Sequence, residues 1–167
     1  MKLFRCSARM LMLAAGLPLL LASCSVFDTP EIREPKELPI RILKFDTSGH
    51  AQIRIEAHCY NQNRLGFNFK GGELDLHLNS YKLGHAVIDT NFSVDGHSNF
   101  MVPIQLTINA AELGAIPGLD FTKDNLVKVN GTMKGTALGI SKSLPINYEK
   151  QHTIKLILPY AVDENVK

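Results

Sequence analysis

The chain has 167 residues, 45% of them hydrophobic and 20% charged, with a formal net charge of +2. That length suits one domain with a real core. A charge so near neutral offers no basic surface that argues for nucleic acid.

Even that slight basicity belongs to the first residues. The opening, MKLFRCSARMLMLAAGLPLLLASCS, places Lys2, Arg5 and Arg9 ahead of an apolar stretch, Leu11 to Leu21. The stretch has signal-peptide length and is too short to span a bilayer comfortably as a mature helix. It ends Leu21-Ala22-Ser23-Cys24. That ending resembles the bacterial lipobox, in which a signal peptidase cuts before a cysteine whose thiol accepts a diacylglyceryl group. Residues 1–23 are therefore expected to form a lipoprotein signal helix, and Cys24 to carry lipid. The mature 144 residues then hold 15 basic and 16 acidic side chains, a formal charge of −1. Each acyl chain contributes about 0.8 kcal/mol per buried methylene, and two or more chains anchor stably. The membrane is thus the first expected partner, engaged through Cys24. No later run approaches the roughly 18 apolar residues of a spanning helix. By resemblance to lipoprotein sorting rules, Ser25 carries no inner-membrane retention signal, so the outer membrane of a cell envelope is favoured. Cys6 leaves with the signal and Cys24 takes lipid, so Cys59 is alone and no intrachain disulfide is possible. A lone thiol in an oxidising envelope is usually buried.

Residues 24–38 read as a lipidated tether. SVFDTPEIREPKEL has Pro30, Pro35, alternating charges and few apolar residues, with a reach of up to about 40 Å if extended. From Pro39 the pattern alternates with period two, the strand period. Ile53, Ile55, Ala57 and Cys59 share one face, against Arg54, Glu56, His58 and Tyr60. Leu74, Leu76 and Leu78 point inward from Glu73, Asp75 and His77. Phe100, Val102, Ile104, Leu106 and Ile108 alternate with Met101, Pro103, Gln105 and Thr107. Later strands are weaker: Val127, Val129 and Met133; Leu144 and Ile146; Ile154, Leu156 and Leu158. Pro103 and Pro145 suggest edges or bulges. Gly71-Gly72 reads as a hairpin between Leu65/Phe67/Phe69 and the Leu74 strand, and Asp95-Gly96 as a second turn. Only Asn109 to Leu119 looks helical, with Asn109 as a cap and an end before Pro117. About seven short antiparallel strands with turns every 8 to 12 residues argue for a β-sandwich with one short helix. Residues 39–160 would form it, and 161–167 a C-terminal tail.

From about Pro39 to Pro159 the chain resembles the WHy domain, also called late embryogenesis abundant group 2. That family has a fibronectin-like or immunoglobulin-like β-sandwich and a strand ending in an Asn-Pro-Asn signature. Here the place reads Cys59-Tyr60-Asn61-Gln62-Asn63, with Gln62 in place of proline. The family's following apolar stretch, strand and Tyr-x-Leu-Gly turn correspond to Leu65 to Phe69, Leu74 to Leu78 and Tyr81-Lys82-Leu83-Gly84. Pro103-Ile104-Gln105-Leu106 and Val129-Asn130-Gly131-Thr132 match later motifs. The resemblance implies a non-catalytic role in stress or desiccation responses, protecting proteins or membranes. It makes Asn61 and Asn63 the structural signature of the chain.

The stretch HCYNQN, 58 to 63, superficially offers a Cys-His-Asn catalytic set. Strand neighbours point to opposite faces, so the His58 imidazole cannot take the Cys59 proton. Asn61 and Asn63 read as braces for backbone freed where the strand leaves the sheet. Asp89, Asn91 and Ser93 imitate a calcium loop, but Val94 and Phe100 stand where the turn glycine and the bidentate acid belong, so they read as polar residues on one strand face. The histidines, His50, His58, His77, His85, His97 and His152, have no metal-ligand spacing within a strand or helix and read by default as scattered surface imidazoles, a site assembled across strands being the open alternative. Glu73 and Asp75 read as a solvated face. Gly131, Gly135 and Gly139 lack the Gly-Lys-Ser junction of a phosphate loop, because Ser141 precedes Lys142-Ser143; they read as bulges and a turn. No catalytic residue, metal, cofactor or small-molecule substrate is called for. Expected partners besides the membrane are client proteins or one envelope partner. For the latter, a binding-module reading offers the Asp95-Gly96 turn and the loop Ile116 to Asp124 as surfaces for a protein or glycan.

Overall fold

Alternation of apolar and polar residues over most of residues 28–159 produces strands, and these are the residues the computed structural model describes. The expected signal helix, Cys24 and the tail 161–167 lie outside them. In chain order the elements are β1 (Glu31–Ile32), β2 (Glu37–Phe45), β3 (His50–Tyr60), β4 (Phe67–Leu78), β5 (Tyr81–Ile88), β6 (Phe92–Val94), β7 (Asn99–Asn109), α1 (Ala110–Gly114), β8 (Asp124–Ala137) and β9 (Ile140–Ile157). The described residues are mostly β with one short helix. Hydrogen bonds link the strands in the order β1-β3-β2-β9-β8-β4-β5, with β7 on β3 and β6 on β4.

The pairing is mixed, which corrects the expectation of an all-antiparallel arrangement. β9 runs antiparallel to β8 from Ile140 to Thr153 and then parallel to β2 from Thr153 to Ile157. One strand thus joins the β7-β3-β2 group to the β8-β4-β5 group. The two late apolar runs are parts of this single strand; the polar Glu149, Lys150 and Gln151 between them are exposed. β1 and β6, two and three residues long, are too short to show a period.

Inward side chains of both groups form one core. Ile53, Val102, Leu74, Leu76 and Met133 all belong to it, and Phe69 is fully enclosed. Phe69 stacks on Phe92 with centroids 5.0 Å apart, and Phe67 meets Phe100 edge-on at 5.7 Å. Pro103 sits in β7, bonded to β3 alone, and Pro145 in the part of β9 that has β8 on one side only. Both prolines thus lie where a missing N–H costs no ladder bond. Asn109 caps α1 by accepting from the Ala111 N–H at 3.0 Å. The helix stops at Gly114, short of Leu119.

Three further expectations are corrected. Gly71-Gly72 is no hairpin: both lie inside the continuous β4, at a bulge where its register against β8 shifts between Phe69 and Gly72. Gly71 has φ +95, and a Cβ there would stand 2.3 Å from the Ile88 carbonyl oxygen. Tyr81 to Gly84 is not a turn but the start of β5; the turn is Asn79-Ser80, with Asn79 at φ 54. The segment 28–38 is no free tether: β1 pairs with Cys59 and Tyr60, and Leu38 is buried at the start of β2.

Candidate functional site

Strand alternation explains where the HCYNQN side chains go. Cys59 faces the core at 4% exposure, while His58 lies on the opposite face. Asn61 continues the inward parity of Ile53, Ile55 and Cys59, and it is completely enclosed at 0% exposure. A buried amide side chain needs partners for both donors and for its oxygen. Asn61 Nδ2 donates to the Leu65 carbonyl at 3.1 Å and to the Asp95 carbonyl at 2.8 Å. Its Oδ1 accepts from the Asn63 N–H at 3.1 Å and from Asn63 Nδ2 at 2.9 Å. The two loops it joins touch backbone to backbone. The Asn61 N–H donates to Ser98 O, the His97 N–H to Asn63 O, and a Cβ on Gly96 would lie 2.1 Å from Arg64 O. The Asp95-Gly96 turn is therefore braced from within.

Asn63 completes a clasp on the N-terminal segment. Its Oδ1 accepts the Asp28 N–H at 2.8 Å, and its Nδ2 donates to the Asp28 carbonyl at 2.9 Å. Gln62, standing at the signature's proline position, donates to the Thr29 carbonyl at 3.0 Å. The three side chains of Asn61-Gln62-Asn63 thus fasten three segments, 28–29, 61–66 and 95–98, at one end of β3.

Beside the clasp is a polar cluster that sequence reasoning missed. β1 ends at Ile32 and β2 begins at Glu37, so β3 has a gap in its pairing. Glu34 fills the gap: its Oε1 accepts the His58 N–H at 2.7 Å. Glu34 Oε2 is buried and has no hydrogen-bond partner among the described residues. Burial, opposed by the His58 N–H bond, pushes the Glu34 carboxyl above the usual glutamate range. His152, expected at the surface, is buried at 2%. Its Nδ1 bonds Pro35 O at 2.9 Å, so Nδ1 carries the donor proton, and Nε2 lies 2.6 Å from the Tyr148 hydroxyl. Burial, with the charge of Glu34, raises the Tyr148 hydroxyl to about 12. The same two causes raise the Cys59 thiol to about 12. A thiol so disposed is a poor nucleophile at neutral pH. A small cavity of about 50 Å³ touches Glu34, Cys59 and Tyr148, with Ile55, Val102 and Val127 around it.

A larger cavity, about 190 Å³, lies at the other end of β3. Its wall is hydrocarbon throughout and draws on β2, β3, β4, β5, β7, α1, β9 and the loop before β8.

The remaining candidates are dispersed. Asp89 and Asn91 lie in a loop and only Ser93 in a strand, where its hydroxyl donates to Asn68 Oδ1 at 2.8 Å. Asp75 meets Lys82 at 2.7 Å and His85 at 3.1 Å across the β4–β5 hairpin. His50 faces Asp46 at 3.5 Å. No group of three or more potential metal ligands converges among the described residues. Gly131 packs where a Cβ would meet Glu73 O at 2.0 Å, and Gly139, at φ +79, forms the β8–β9 turn with Leu138.

No family model matches the chain, and no curated protein matches it. Among solved structures, a protein from Archaeoglobus fulgidus is similar at 13% identity and a TM-score of 0.44, over 76% of this chain and 100% of that one.

Proposed function

We propose that the chain is a non-catalytic, membrane-anchored envelope lipoprotein, lipidated at Cys24, whose domain is a WHy-type β-sandwich that protects proteins or membranes under stress. In this reading the β7-β3-β2 and β8-β4-β5 groups are the two sheets, and β9 passes between them. The outer membrane is the favoured site of anchorage.

The observation that carries the reading is the asparagine clasp. Asn61 and Asn63, the marks of the resemblance, hold the chain at Asp28, four residues after Cys24. A fully extended chain covers at most about 3.6 Å per residue. Cys24 and Asp28 therefore stand no more than about 14 Å apart, far less than the 40 Å a free tether would allow. On this reading the signature keeps the domain close to the lipid proposed on Cys24, with the Asn61 end toward it. The inward, high-pKa thiol of Cys59 is consistent with a structural rather than a reactive role. Protection is tested by light scattering: the purified protein, at increasing molar ratio, is added to an aggregation-prone client during heating or drying. Suppression that rises with concentration supports the reading; scattering unchanged at several-fold molar excess overturns it.

One feature favours a specific envelope partner instead. Phe121, on the loop Ile116 to Asp124, is 42% exposed. Asp120 orders that loop by accepting from the Thr122 N–H and Oγ1, and Lys123 pairs with it. Crosslinking in the envelope separates the two readings: one stoichiometric partner favours the binding module, many substoichiometric ones favour protection.

A further inference from the structure

The cavity at the far end of the domain lies outside anything the protective role requires. We propose that it binds an unbranched alkyl chain of medium length, entering at a mouth between Phe45 and Phe121. Four observations carry this.

The first is size. The cavity holds about 190 Å³, more than the roughly 150 Å³ of an engineered apolar void that stays dry and takes up benzene. The second is chemistry. Every lining side chain is hydrocarbon, so water inside would find no hydrogen-bond partner, and a polar ligand would lose those it has. The third is shape. The wall follows β2 from Ile40 to Phe45, about 16 Å at 3.3 Å per residue. Facing layers of strands stand only about 10 Å apart. A wall of that length suits a chain extended along it. The fourth is access. Phe45 and Phe121 line the cavity and are 53% and 42% exposed. Of the charged groups next to them, Asp46 faces His50 and Asp120 pairs with Lys123, while Lys44, beside Phe45, is exposed. Recognition therefore rests on the chain, with Lys44 as the cation nearest the mouth in sequence.

An alkyl chain could come from a free amphiphile or from the lipid on Cys24. The clasp bears on this. Asp28 is held by Asn63, just past the Tyr60 end of β3, whereas the cavity is lined by Ala51 and Ile53 near its other end. The length of β3 between those ends is about 33 Å. A free amphiphile is thus the favoured source.

The test is photolabelling of the full chain, as cells process it, with a decanoic acid that carries an alkyl diazirine and an alkyne. Adducts are mapped by mass spectrometry in the parent and in Cys24→Ala. The expected result is adducts on cavity residues such as Leu113, Phe45 and Phe121 in both, lost when unlabelled decanoic acid is in excess. Adducts in Cys24→Ala alone would also support an alkyl site and would assign it to the protein's own lipid. Ala51→Phe and Leu83→Phe place a ring in the cavity from two different strands. In whichever of them retains a cooperative melting curve, labelling should fall to background. Decanoic acid should raise the melting temperature of the parent, because it binds the folded state. Adducts scattered over the surface, labelling unchanged in a folded filled variant, or no melting shift in the parent would overturn the proposal.

Discussion

Replacing Asn61 with alanine should be among the most damaging single changes in the loops of this protein. The side chain is fully enclosed and makes four hydrogen bonds, two to backbone carbonyls and two from Asn63. Alanine leaves the Leu65 and Asp95 carbonyls, the Asn63 N–H and the Asn63 amide without those partners. Water reaches some of them, because Leu65 and Asp95 are exposed residues, so the full cost of burial does not apply to each. At roughly 1 kcal/mol per bond the loss is about 3–4 kcal/mol. For a domain of this size that is a fall of about 10–15 °C in melting temperature. Asn61→Asp sharpens the test. It keeps the oxygen that Asn63 donates to and turns the other atom into an acceptor facing two carbonyls. Its loss should exceed that of alanine at pH 7 and should shrink in acid, where the new carboxyl is protonated and can donate. Thermal unfolding by circular dichroism, from pH 4 to pH 8, reads both effects. An alanine variant melting within about 2 °C of the parent, or an aspartate variant with no pH dependence of its own, would refute the bracing argument.

Other consequences follow from the same geometry. Burial raises the Glu34 carboxyl above its unfolded value of 4.5, so the folded state binds its proton more tightly. That contribution is complete below the unfolded pKa and is lost as pH rises through the folded one; Glu34→Gln should flatten this decline, and parallel melting-temperature profiles for the two proteins would contradict it. Gly71→Ala forces a Cβ to within 2.3 Å of the Ile88 carbonyl oxygen at φ +95, a loss of roughly 3 kcal/mol or more by denaturant titration; an unchanged midpoint would remove the bulge argument. Cys59, buried and raised to about 12, should react with a thiol reagent at pH 8 only as fast as the protein opens, and labelling within seconds in native buffer would show an accessible thiolate. Cys24→Ala should abolish incorporation of labelled palmitate and release the protein from the membrane fraction, whereas persistent labelling would place the lipid elsewhere.

The strands were legible because their signal is local. Ile53, Ile55 and Cys59, or Leu74, Leu76 and Leu78, show the face of a strand without knowledge of its neighbours, and Asn109 marks the helix start by its own chemistry. The burial of Asn61 was legible too, since it shares parity with Cys59; its polarity drew attention to the turn instead. Gly71-Gly72 misled because a glycine pair between apolar runs serves a hairpin and a bulge alike. Only the carbonyls of Ile88 and Thr132, pressed against those glycines from the flanking strands, distinguish them. The segment 28–38 has the composition of a linker, and its docking depends on the gap in β3 that Glu34 fills. His152 bonds Pro35, 117 residues away, and the polar run before it imitates a solvated face. The large cavity draws its wall from elements throughout the domain, so no stretch of sequence announces it.

The central claim is that a folded domain, held close to a lipid anchor, protects what lies around it. Its most direct test is the quantity of insoluble envelope protein after drying and rehydration, measured by quantitative mass spectrometry. Cells lacking the protein are complemented with the parent, Cys24→Ala or Asn61→Ala. The account predicts that the parent alone restores solubility, while the unanchored and unclasped variants leave envelope proteins aggregated. Equal aggregation with and without the parent protein would contradict it.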